Sequence, residues 1–282
     1  GMKVYRLVLS VDQERRQFDI GAQRLREAEQ LARQVRQKEV WALFYDIQSE
    51  FYDFLLDGAY DARQPGEKAV FRKLMAALNH AIRWSRAAGG PEGEEQLIKN
   101  LLAKATVLMR SSPRNRRTVR RLLAEVETHL SGQTGKNPEL LTIYWMVCGW
   151  YASVMEPSLE RTEECLSRAA ESFAGTERTD LDRIDEVMVP SADIYCGWGL
   201  FETAAALLRE AIAICEAQGT VLPWLRKKLE LWRYLLDVCF EWGKPELCKA
   251  LIRAIEDENA RYAYLGIQQE ISRELREAIL ER

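Results

Sequence analysis

The chain has 282 residues, 47% of them hydrophobic and 29% charged, with a formal net charge of −3. That balance supplies a substantial core and excludes a disordered chain, and it excludes a global field that would draw in nucleic acid or a membrane surface. Gly1 ahead of Met2 reads as a cloning remnant. The apolar run Val4–Val11 is short and broken by Arg6, which makes it neither a signal peptide nor a spanning segment.

No sustained alternation of apolar and polar residues follows the N-terminus, so strands are not expected. Apolar residues recur instead at the helical period, interrupted at short intervals by glycine and proline. The pattern predicts about a dozen helices, near 13–37, 39–57, 67–88, 92–110, 114–131, 138–155, 159–174, 181–198, 200–218, 222–242, 245–258 and 260–280. Breaks such as Gln64-Pro65-Gly66, Gly89-Gly90-Pro91, Ser112-Pro113, Asn137-Pro138 and Gly243-Lys244-Pro245 separate them. Several place proline at a helix start, where its missing N–H costs nothing. Short connections between successive helices imply antiparallel neighbours.

In the helix at 39–57, Trp41, Phe44, Ile47, Phe51 and Phe54 form an apolar face, and Asp57-Gly58-Ala59-Tyr60 reads as a turn. The same helix carries Asp46, Glu50, Asp53 and Asp57 at i, i+4, i+7 and i+11. Like charges so spaced destabilise an isolated helix, so a cationic neighbour is expected, with Arg24, Arg26, Arg33 and Arg36 of the preceding helix as candidates. Paired carboxylates can serve as acid and base or hold a metal. A bundle-type di-metal site calls for Glu-x-x-His, which is absent, so catalysis here is not expected.

Six arginines fall between Arg110 and Arg121, and Arg114, Arg116, Arg117, Arg120 and Arg121 are the candidates for holding a polyanion. A helix beginning near Pro113 would add its positive end. The competing reading is a solvated face paired with acids on a neighbouring helix. Gly132-Gln133-Thr134-Gly135-Lys136-Asn137 is the natural place to divide the chain, into helical hairpins at 2–131 and a second set with a terminal cap at 138–282.

The second half is the more informative. Trp145-Met146-Val147-Cys148-Gly149 lies within one helix, with a W-x-x-C-G spacing, and its partner carries Cys165, Leu166, Ala169 and Phe173. Ile194-Tyr195-Cys196-Gly197-Trp198-Gly199-Leu200-Phe201 brings an aromatic-rich helix to a glycine able to take positive φ. After it Phe201, Ala204, Leu208, Ala211 and Cys215 line one helix face. Trp232, Leu235, Leu236 and Cys239 close at Trp242-Gly243, followed by Cys248, Leu251, Ile252 and Ile255. Cys165, Ala204 and Cys248 take equivalent places, 39 and 44 residues apart. These residues resemble the tetratricopeptide repeat, whose period is 34 residues and whose hairpins place a glycine at the turn and spaced alanines in the second helix. The match spans about residues 138–258, with stretched, degenerate repeats of the kind seen in arrays of bacterial signalling regulators.

The resemblance implies an all-α superhelix of antiparallel hairpins, in one continuous array, capped by an amphipathic last helix bearing Tyr264, Ile267, Ile271, Leu275 and Ile279. It also implies a non-catalytic adaptor, regulatory in role, that takes a protein or peptide on its concave face. Glu186 and Glu230 are 44 residues apart, as are Asp193 and Asp237. In a common register these four acids, with Arg233, Phe240 and Trp150, would form an acidic groove with aromatic walls. Pro190 interrupts the helix carrying two of them and puts that register in question. Nucleic acid held by the arginine cluster is the alternative.

The six cysteines all lie after residue 147 without a CxxC, and the only histidines are His80 and His129, so no metal or other cofactor is expected. Each cysteine sits where a helix wants a small apolar side chain, and reduced thiols imply a cytoplasmic protein. The eight tryptophans fall mostly on apolar faces and read as packing.

Overall fold

The computed structural model describes residues 11–35, 37–62, 67–132, 137–263, 266, 271 and 273–280. Every regular element among them is helical, as the periodicity predicts. In order these are α1 (Val11–Val35), α2 (Lys38–Ala62), α3 (Glu67–Ala88), α4 (Gly90–Ser111), a 3₁₀ turn at Pro113–Asn115 and α5 (Arg116–Gly132). There follow α6 (Pro138–Val154), α7 (Leu159–Ala174), α8 (Asp180–Arg183), a π turn at Ile184–Met188, α9 (Val189–Gly197), α10 (Phe201–Ala217), α11 (Leu222–Glu241), α12 (Pro245–Arg261) and α13 (Arg273–Leu280). The described residues fall into two compact units. One contains the residues up to Ser111 with Arg117–Gly132; the other contains Ser112–Arg116 with the residues after Gly132.

In the first unit α2 packs on α3, α3 on α4, and α4 reaches back to α2. Leu56, Leu74, Leu78 and Val107 make a small buried cluster there. Trp41 stacks on Trp84 with ring centroids 6.0 Å apart and on Tyr45 at 5.8 Å. Two acids of the α2 stripe, Asp53 and Asp46, find partners on α4. Arg110 bonds Asp53, while Gln96 hydrogen-bonds Asp46 and Lys99 lies near it. Arg33 instead pairs with Glu29 of its own helix. Helices two apart in sequence share a face in such packing, and this reach is invisible to a search confined to the preceding helix. The turn expected at Asp57-Gly58-Ala59-Tyr60 does not form: α2 runs on through it to Ala62. The residue Arg36 and the side chains of 57–60 lie outside the described residues.

In the second unit a buried core runs from Ile184 to Ile279 through α9, α10, α11, α12 and α13. Its turns share one device. α9 closes at Gly199, φ +72°, with Gly199 N donating to Cys196 O at 2.8 Å and Leu200 N to Tyr195 O at 2.9 Å. α11 closes in the same way at Gly243, φ +70°, with bonds from Gly243 N to Phe240 O and from Lys244 N to Cys239 O. This is the Schellman arrangement, which satisfies the last carbonyls of the helix and reverses the chain in one residue. Where α6 crosses α7, a Cβ on Gly149 would lie 3.1 Å from Leu166 Cδ2 and 3.5 Å from Cys165 Cβ, so the missing side chain sets the approach.

Pro190 does interrupt its α-helix, though the helical run continues through it. It has no N–H to donate, and the chain adapts by a π turn in which Val189 N donates to Ile184 O. The last helix is not continuous over 260–280: α12 ends at Arg261, Gly266 has φ +66°, which no helix tolerates, and α13 begins at Arg273. Ile271, Leu275 and Ile279 still pack on the core, whereas Tyr264 and Ile267 lie outside the described residues.

Gly199→Ala meets open space, so its cost is the left-handed backbone alone, about 1–2 kcal/mol. Leu208→Ala, at a side chain 1% exposed, should cost about 2–5 kcal/mol. Urea unfolding midpoints check both. Burial raises the Asp46 pKa above 3.8, so its ionised form weakens the fold at neutral pH and the penalty fades as pH falls toward 3.8. Asp46→Asn is therefore expected to raise Tm at neutral pH, by an increment that shrinks with acidification.

Candidate functional site: the groove between α6 and α9

α6 carries a single charged residue, Glu139 at its start, in seventeen. A helix so apolar has no face suited to water and needs cover all round. One side is covered by α7: Cys148, Gly149, Tyr151 and Ala152 are buried. The side toward α9 is incompletely covered, with Met146 and Trp150 half-buried and Val154 44% exposed. These residues fall at i, i+4 and i+8. Pro190, Asp193 and Gly197 of α9 face them at i, i+3 and i+7, and together the two stripes border a groove of about 340 Å³.

Among the described residues Asp193 is the one ionisable group lining the groove. Its carboxyl is exposed at one edge yet held above the usual carboxylate range, by desolvation first and by the nearby Glu241 second. No cation pairs with it among the described residues. Burial, Glu241 and Asp193 push the Cys196 thiol up to about 11, so no thiolate forms there.

The structure scatters the other residues of the expected acidic groove. Glu186 bonds Arg178, which also holds Glu139 at 3.1 Å. Glu230 and Asp185 share Lys227, at 2.6 and 2.7 Å. Asp237 pairs with Arg233 at 3.2 Å. Phe240 packs against the core beside Cys248 and Ile279. Glu186 and Asp193 part company because the wide turn at 184–188 rotates one against the other, undoing the seven-residue register. Of the residues singled out, only Trp150 and Asp193 border the groove. Met146, Val154, Pro190 and Glu241 were not anticipated; the absence of charge along α6 was the signal available for the first two.

The arginine cluster is also divided. Arg110 bonds Asp53 of α2. Arg116 Nη2 lies 2.9 Å from Glu156 Oε1, and Glu156 accepts as well from Tyr151 Oη at 2.8 Å. Arg114, Arg117 and Arg120 are exposed, and Arg121 lines a separate cavity in the first unit. All six cysteines are free thiols, five of them buried. Among the described residues no group of three or more His, Cys, Asp or Glu is arranged to hold a metal, and no helix is long and apolar enough to cross a membrane.

No family model matches the chain, and no curated protein does. Among solved structures the chain is similar to BtubC (BKLC) from P. vanneervenii, with a TM-score of 0.53 and 15% sequence identity over 92% of this chain and 95% of that one. At this identity the likeness speaks for a shared all-α fold.

Proposed function

We propose that the chain is a non-catalytic, tetratricopeptide-like scaffold that takes a peptide segment of a partner protein in the α6–α9 groove. The occupant carries apolar anchors and a lysine or arginine. The observation behind this is the groove's composition: an apolar trough walled by Met146, Trp150 and Val154, with the uncompensated carboxylate of Asp193 at its edge and Glu241 close by. An aromatic in a half-covered trough is the usual anchor of a peptide contact, and a desolvated acid beside it selects a cation. The glycine turns at Gly199 and Gly243 and the close crossing at Gly149 support the repeat reading, since hairpins so joined set their first helices side by side. The alternative, a polyanion along residues 110–121, has less behind it, because Arg110 and Arg116 are engaged by carboxylates.

Selection of a random peptide library on the full chain tests the reading. The expected consensus has bulky apolar residues flanking a lysine or arginine. Selection on Asp193→Lys should exchange that cation for an acid, whereas Glu230→Lys/Asp237→Lys, whose acids are paired elsewhere, should keep it. Trp150→Ala should weaken a selected peptide by about 2 kcal/mol or more. A consensus indifferent to the sign at position 193 would remove the groove from consideration. Protonation of Asp193 removes the charge the cation pairs with, so affinity measured by titration should fall with decreasing pH, beginning above the ordinary carboxylate value of 3.8.

A further inference from the structure

The first unit contains a second concavity, about 430 Å³, between α3, α4 and α5. Four cations face it: Arg83 and Arg86 from α3, Lys104 from α4 and Arg121 from α5. Glu125 is the only carboxylate in the lining. Arg86 bonds Glu125. Lys104 Nζ donates to Asn79 Oδ1 at 2.7 Å, an amide oxygen rather than a carboxylate, and Glu125 attracts its charge only at longer range. Among the described residues Arg83 and Arg121 have no carboxylate within ion-pair distance. The floor is the buried Leu101 and Leu122. Desolvation, then repulsion from Arg121 and Arg86, holds the Lys104 ammonium below its ordinary pKa.

Such convergence is unfavourable in the empty cavity: like charges crowd together, and one of them is half removed from water. It also runs against composition, since the chain has a net charge of −3 and acids to spare. Three cations without carboxylate partners, drawn from three helices toward one point, match a compact anion of two or more charges. The forked guanidinium donors of Arg83 and Arg121 suit the oxygens of a tetrahedral group, with Lys104 as a point charge between them. The arrangement does not suit a polymer, for which cations track along a surface. Of the arginines between 110 and 121, only Arg121 lines the cavity.

We propose that this cavity binds a small phosphate- or diphosphate-bearing molecule, held by Arg83, Lys104 and Arg121, at a site independent of the α6–α9 groove. The test is calorimetric titration of the full chain with inorganic phosphate and with pyrophosphate, supported by the shift in Tm. Saturable one-to-one binding is expected, tighter for pyrophosphate. Lys104→Met and Arg121→Gln should each weaken it about tenfold, the loss of one charge-assisted contact. Arg114→Gln and Arg117→Gln, which leave the lining intact, should not change it. Lys104→Met relieves repulsion and is expected to raise Tm in the absence of anion. Arg83→Gln, at an exposed position, provides a further test should that variant fail to fold. The absence of saturable binding to the unmodified chain, or equal weakening by the Arg114 and Arg117 variants, would overturn the proposal.

Discussion

From α9 to α12 the helices of the second unit stand close together because a left-handed glycine reverses the chain between each and the next. At Gly199 and Gly243 the backbone takes a conformation that side-chain-bearing residues resist, and in doing so it returns the last amides to the helix just completed. A one-residue reversal leaves the next helix no choice but to lie antiparallel against its predecessor. Small residues then set how near it comes: Ala204, Ala205 and Ala211 on α10 are fully buried, and Gly149 on α6 meets Leu166 and Cys165 directly. The core from Ile184 to Ile279 follows from those approaches.

The groove depends on a different feature, one irregularity in α9. α6 and α9 are in contact, although no left-handed glycine lies between them in sequence, and α6 carries a single charged residue, Glu139. Pro190 enters the opposing helix without an N–H, and the π turn before it adds a residue to that turn. Glu186 is thereby carried to Arg178 and Glu139, while Asp193 is left at the groove. A straight helix would have kept both carboxylates on one face. The irregular turn thus separates a structural acid from one available to a ligand.

Charge in this molecule is organised locally. A nearly neutral chain places four cations around one cavity of its first unit and one acid without a cation partner among the described residues, Asp193, in a groove of its second. Other charges meet in pairs and triads: Lys227 between Asp185 and Glu230, Glu156 between Arg116 and Arg161, Lys228 against Glu258. Lys228 and Glu258 are mostly covered, as is Lys227, so their pairing offsets the cost of taking these charges out of water.

Local physics in the sequence determined the elements. Apolar periodicity marked α3 and α7 at their true bounds, proline marked the starts of α6, α11 and α12, and glycine marked the turns at 199 and 243. Those signals act over one or two helical turns, so neighbouring residues suffice to read them. Tertiary structure alone decided which charges meet. Asp53 is joined to Arg110 across 57 residues and Arg86 to Glu125 across 39, and no periodicity encodes such pairings. It also decided that six arginines close in sequence would face several partners, because a helix turns its residues in all directions, and that Arg83, Lys104 and Arg121, far apart in the chain, would face one cavity. A site is a coincidence of side chains from separate helices, and only their packing brings it about.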